Sequence, residues 1–246
     1  GLTGAPRINV VVGAKRHGTI DRSLRMLGLG APSQVVPADA QGRIVVDALE
    51  LGDEPTIVCA QAGEVNTGAF DDFNAICDRR DAAANAWVHV DGAFGLWAAV
   101  AESLRHHVDG VERADSWATD AHKWLNVPYD CGIAFTAHPD SHSGAFAARA
   151  AYLVVDSETR EQIDWNPEHS RRARGFTVYA AIRALGRSGV ADMVERCCRH
   201  ARTFAAGLEA LGAEVLNDVV LNQVLFRFAD DAQTEAVLQG VQASGE

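Results

Sequence analysis

"WVHVDGAFG", residues 87–95, carries an apolar, β-branched run into an acid, a glycine and an alanine. Short apolar runs of this kind are strands buried on both faces of a helix-covered sheet. In open α/β sheets, ligands sit in the crevice beyond the carboxyl ends of the strands. Asp91 at such an end faces that crevice, and the small Ala93 beside it lets a flat ligand approach. A turn aspartate capping the next segment is the competing reading.

Working outward, "INVVV" (8–12), "QVV" (34–36), "TIVCA" (56–60) and "GIAF" (132–135) share this texture. Helix-like stretches separate them. "GTIDRSLRMLGLG" (18–30) puts Ile20, Leu24 and Leu27 on one face and ends in glycine, a common helix stop. "FDDFNAICDRRDAAAN" (70–85) spaces Phe73, Ile76 and Cys77 for one face. Strands alternating with helices predict an α/β fold around a mostly parallel sheet. From about residue 176 the texture changes to two consecutive helices, 176–189 and 190–212. The strand candidates "AEVL" (213–216) and "NQVLFRFA" (222–229) follow, as at the start of a smaller α+β domain. The expected division is therefore 1–175 and 176–246.

The chain has 246 residues, 48% apolar and 22% charged, the balance of a soluble globular protein. Its net charge of −11 argues against nucleic-acid or anionic-membrane partners. A phosphorylated cofactor stays possible, because local amides and helix N-termini hold phosphate. No apolar run approaches a membrane span, and no signal peptide is visible. The five cysteines are odd in number and scattered without a CxxC pair, so no metal site and no disulfide framework is expected. A reducing cytoplasm is the expected compartment. The sequence opens at Gly1 and stops within "AVLQGVQASGE", and reads as cut at both ends.

"SWATDAHKWLNVP" (116–128) sets Lys123 directly after His122 and between Trp117 and Trp124. An isolated lysine there reads as a surface side chain snorkelling over a tryptophan. Set beside Asp91, and His17 in the loop after the first strand, it has a second meaning. A strand-end acid, a lysine among aromatics and a flat histidine ring are three parts of a pyridoxal phosphate site. The amine forms a Schiff base with the aldehyde, the acid keeps the pyridine nitrogen protonated, and the imidazole stacks on the ring.

"HVDGAFG" (89–95), "DAHKWLNVPYDCG" (120–132), "HGTIDRSLRMLGLG" (17–30) and "AGEVNTGAFDDF" (62–73) together resemble the pyridoxal-phosphate-dependent group II amino acid decarboxylases. These include aromatic L-amino acid and glutamate decarboxylases, on the type I, aspartate-aminotransferase-like fold. The resemblance runs from about residue 8 to residue 228. It implies Lys123 as the Schiff-base lysine, Asp91 as the pyridinium partner and Ala93 as the small residue against the ring. It further implies His17 as the stacking histidine and His122 near the phosphate or the reacting carbon. The reaction implied is decarboxylation of an aromatic L-amino acid through an external aldimine, in a homodimer. An aldehyde synthase, a carbon–carbon lyase or an inactive fragment are the alternatives.

Departures from the family pattern bear on the site. Glu64 and Val65 stand where relatives often carry threonines, so a bond to the cofactor's phenolic oxygen falls to Asn66 or Thr67. Asp120 stands where some members have asparagine, and an acid suits a phosphate poorly unless it points away. The family's N-terminal extension, with its phosphate loop, has no counterpart here. Arg171, Arg172 and Arg174 read as structural salt-bridge formers ahead of substrate contacts. The family's mobile loop brings a tyrosine to protonate Cα. In "YLVVDSETREQIDWNPEHS" (152–170), the one tyrosine, Tyr152, opens the stretch, leaving His169 as candidate acid or as mere solvation of the loop.

Overall fold

A computed structural model of the chain describes residues 4–147 and 160–245. Tyr152 lies outside the described residues.

The chain builds a six-stranded sheet. Its strands are β1 (Asn9–Gly13), β2 (Gln34–Val36), β3 (Thr56–Gln61), β4 (Ala86–Asp91), β5 (Ser116–Asp120) and β6 (Gly132–Thr136). The spatial order is β2-β1-β3-β4-β5-β6. The first five are mutually parallel and β6 runs antiparallel on β5. Parallel neighbours need crossover connections, which helices α1 (Gly18–Met26) and α2 (Phe73–Asp81) help supply. Both start on capping side chains: His17 accepts the Thr19 N–H, and Asp72 the Ala75 N–H.

The strands bury both faces. Val11, Val58, Ala60, Val88 and Val90 pack on one side with Phe73, Ile76 and Cys77 of α2. Val10, Val12 and Cys59 pack on the other with Leu24 of α1. Alternation puts His89 and Asp91 on this second side, because Cys59 is in register with His89 and Gln61 with Asp91. Asp91 thus shares a face with the helix that His17 caps.

After β6 come α3 (Pro139–Phe146) and a long helix, α4 (Arg174–Ala210). The two helices expected over this span join without a loop, at Gly186, whose φ of 63° and ψ of 178° only glycine adopts readily. Beyond the break, Val194 and Cys198 enter the sheet's core. Strands β7 (Glu214–Val215) and β8 (Phe226–Arg227) pair antiparallel, shorter than their apolar runs suggest, and α5 (Asp231–Ser244) follows.

Two expectations change. β5 joins the sheet although "SWATD" was absent from the apolar runs; three of its side chains are polar, yet its backbone is paired on both edges. Leu27 is 64% exposed, because α1 ends at Met26 and Leu27 is its C-cap. Among the described residues no helix is long and apolar enough to cross a membrane.

Candidate active site

The carboxyl ends of β3 and β4 finish side by side at Gln61 and Asp91, level with Ala118 of β5, which runs on to Asp120. Backbone bonds lock this edge: Ala62 N–H donates to Asp91 O at 2.8 Å, and Gly92 N–H to Ala118 O at 2.9 Å. Asp120 N–H reaches Ala93 O at 2.9 Å, which ties the turn after β4 to the end of β5. Asp91 also accepts the Ala93 N–H on Oδ1 at 3.2 Å, so the turn-capping reading is realised together with the strand-end placement. Both Asp91 and Ala93 are half-buried.

Lys123 follows β5 in a turn, its side chain 40% exposed. Its Nζ lies 3.0 Å from Asp120 Oδ2 and 5.7 Å from the centre of the Phe94 ring. The aromatic company is therefore Phe94, three residues past Asp91, rather than the flanking tryptophans. Trp124 is core, and Trp117 donates from Nε1 to Val111 O at 2.8 Å. Phe94 itself is pressed against Gly63, where a Cβ would lie 2.5 Å from the ring. The apolar pattern held no signal for this contact.

His122 is mostly covered. Its ring lies 4.1 Å, centre to centre, from that of Tyr129, and its Nδ1 meets the Cys131 backbone. His17 is exposed at the start of α1, with Nδ1 2.7 Å from Thr19 Oγ1. Asn66 is exposed, and its Nδ2 donates to Glu64 Oε1 at 2.9 Å. Glu64 is 2% exposed and also accepts the N–H groups of Asn66 and Thr67, at 2.9 and 2.8 Å. The Thr67 hydroxyl donates to Gln41 O at 2.6 Å. Both side chains expected to face a phenolic oxygen thus also hold their own loop, and a buried glutamate organises it.

His169 is placed differently. It is exposed in a groove of about 1090 Å³ beside β6, walled by Phe135, Trp165, Arg171, Phe176 and Tyr179 among others. Lys123, Asp91, Ala93, His17 and Asn66 do not line that groove. Of the arginines, Arg174 holds Asp130 Oδ1 at 3.0 Å and Arg172 donates to Tyr129 O at 2.7 Å. Arg171 pairs with Glu168 at 3.4 Å and bonds Asn166. These are the structural salt bridges expected, and those of Arg172 and Arg174 fasten the segment that follows the Lys123 turn. Arg174, with a backbone bond from Asp130 itself, holds the Asp130 carboxyl below its ordinary range.

Electrostatically the floor of the crevice is inert. Burial, with a smaller contribution from the charge of Asp91, pushes the Cys59 thiol up to about 12. Burial likewise lowers His89. An amine in the turn after β5, a carboxylate at the end of the neighbouring strand β4 and the small Gly92 and Ala93 following that carboxylate suit a flat aldehyde-bearing pyridine. The residues present therefore fit pyridoxal phosphate.

The profile of the pyridoxal-dependent decarboxylase conserved domain matches residues 5–229. The chain belongs to this family. It is 31% identical over 228 residues to the aromatic-L-amino-acid decarboxylase of Bacillus atrophaeus, covering 86% of this chain and 47% of that one. To the aromatic-L-amino-acid decarboxylase of Drosophila lebanonensis it is 29% identical over 245 residues, covering 95% and 60%. A 4-hydroxyphenylacetaldehyde synthase from Rhodiola rosea is 30% identical over 191 residues, covering 73% and 38%. Among solved structures, Oryza sativa TDC with PLP and tryptamine superposes with a TM-score of 0.82 at 25% identity, over 96% of this chain and 53% of that one. Mouse CSAD superposes at 0.84 and 24%, over 96% and 52%. The chain spans between about two-fifths and three-fifths of the length of these curated relatives. Its fold is the family's α/β, type I pyridoxal-phosphate fold.

Proposed function

We propose that this protein is a pyridoxal-phosphate-dependent carboxy-lyase that removes carbon dioxide from an aromatic L-amino acid. The observation that carries the reading is Lys123 in the turn beyond β5, the strand paired with β4 whose end is Asp91, in a family member. When bound, the cofactor supplies a sink for the electron pair left as the Cα–carboxylate bond breaks. Lys123 is the covalent anchor. Asp91 is a fixed negative charge that holds a proton on the pyridine nitrogen, and such preorganised charge acts strongly in a half-buried site. Ala93, His17 and Asn66 would help hold the cofactor, and His122 stands next to the anchor. His169 is the proposed proton donor to Cα. Its groove lies off the crevice, so this role requires His169 to approach.

The same proposal includes a homodimer, a boundary at residues 175/176 and a reducing, cytoplasmic setting. An aldehyde-forming reaction is the second reading, favoured by the Rhodiola rosea relative. Assaying amine against aldehyde separates the two.

The anchor is tested by borohydride reduction of the cofactor-loaded protein. The chain has only two lysines, Lys15 and Lys123, so the labelled peptide is unambiguous. Pyridoxyl on Lys123 is the expected result, and label on Lys15 alone overturns the assignment.

A further inference from the structure

We infer that Asp120 is a positioning residue that joins Lys123 to His122 and determines which nitrogen of His122 carries its proton; this rests on Lys123 being the anchor. Asp120 is held rigidly. Its N–H donates to Ala93 O at 2.9 Å, and its carbonyl accepts Trp97 Nε1 at 3.2 Å. Its side chain, a quarter exposed, puts Oδ2 3.0 Å from Lys123 Nζ and 3.5 Å from His122 Nε2. The other oxygen lies over Gly132, its partner on β6, where a Cβ would be 3.4 Å away. One oxygen therefore serves both neighbours.

The far side of the imidazole completes the argument. His122 Nδ1 lies 3.1 Å from Cys131 N and 3.0 Å from Cys131 O. The carbonyl already accepts the Ala121 N–H at 2.9 Å. Cys131 thus offers Nδ1 either an N–H to accept or a carbonyl with a second lone pair to donate to, so its backbone leaves the tautomer open. The Asp120 oxygen 3.5 Å from Nε2 then decides it, favouring the ring proton on Nε2. The other tautomer would turn the Nε2 lone pair toward a negative oxygen, which is unfavourable. Withdrawal of the Lys123 amine from Asp120 leaves the carboxylate to His122 alone, so the proton beside the anchor is coupled to the anchor's own engagement.

Two readouts on the chain test this without turnover. The first is nitrogen-15 NMR of His122, identified by comparison with His122→Gln. The second is the rate at which pyridoxal, trapped by borohydride, labels Lys123 relative to Lys15. The wild type should show the Nε2–H tautomer. Asp120→Asn keeps a neutral acceptor oxygen, so the tautomer should persist while Lys123 labelling rises at least threefold, the scale of a partly exposed ion pair. Asp120→Ala should raise labelling similarly and give mixed tautomers. A labelling ratio within 1.5-fold of wild type in Asp120→Asn, or an unmixed Nε2–H tautomer in a folded Asp120→Ala, overturns the inference. Should Asp120→Ala not fold, Asp120→Asn alone decides on the labelling ratio. No label on wild-type Lys123 overturns the anchor assignment instead.

Discussion

Asp91 accepts the Ala93 N–H through one oxygen, and an asparagine could keep that bond while losing the charge. Asp91→Asn is therefore expected to leave thermal unfolding within about 2 °C of wild type, since a retained hydrogen bond costs little. Turnover should fall by about two orders of magnitude or more, roughly 3 kcal/mol of barrier, comparable to removing one preorganised partner. Steady-state kinetics with melting curves check both halves. Asp71 is a second informative carboxylate. It is buried and accepts the N–H groups of Ile44 and Gln61, both at 2.7 Å. Burial outweighs those bonds and pushes its carboxyl up to about 6 from an ordinary 3.8. Between those values the folded chain binds more protons than the unfolded one, so this group's contribution is full below about pH 4 and lost as pH rises through about 6. Urea titrations across that window should show the slope in wild type and lack it in Asp71→Asn. That variant should also lose about 1–3 kcal/mol, because its NH2 opposes a backbone donor.

At the level of elements, the loop after β3 is built around Gly63. Its φ of +94° disfavours any side chain, and a Cβ there would press 2.5 Å from the Phe94 ring. Gly63→Ala should cost about 2–3 kcal/mol in denaturant unfolding, from strain plus overpacking. It should also shift Phe94 off Lys123, which altered Lys123 labelling would report. Most elements around this loop were readable in advance, because buried parallel strands leave long apolar runs and α2 spaces Phe73, Ile76 and Cys77 for one face. β5 was not, because its half-polar residues pair through backbone groups that no side-chain pattern records. The same limit governs the site. Asp91, His122 and Lys123 are legible from motif and spacing, whereas the turn of the Asp120 carboxylate toward Lys123 depends on a rotamer. Nor does sequence record that the Asn66 amide is held by the buried Glu64, or that His169 lies in a groove that the other six candidate residues do not line.

Across the whole molecule, exposed apolar side chains gather on the first half of α4. Phe176 is 74% exposed and Tyr179 65%, with Ile182 and Leu185 following. Contiguous apolar surface of this kind marks association sites. If it lies in the proposed dimer contact, Phe176→Asp combined with Tyr179→Asp should shift sedimentation from dimer to monomer without changing the far-ultraviolet spectrum; an unchanged dimer would place the contact elsewhere. The opposite edge of β6 from β5 carries another consequence. Its five residues, "GIAFT", include no charge and no proline, and Phe135 is 52% exposed. Natural sheets guard such margins with lysine, proline or a covering segment. Among the described residues no strand pairs with this margin, and such an edge is a template along which, at high concentration, one chain's β6 can extend another's sheet. Ala134→Lys, at an exposed position on this strand, should therefore raise the concentration at which the chain stays in solution, a gain in colloidal behaviour unrelated to catalysis.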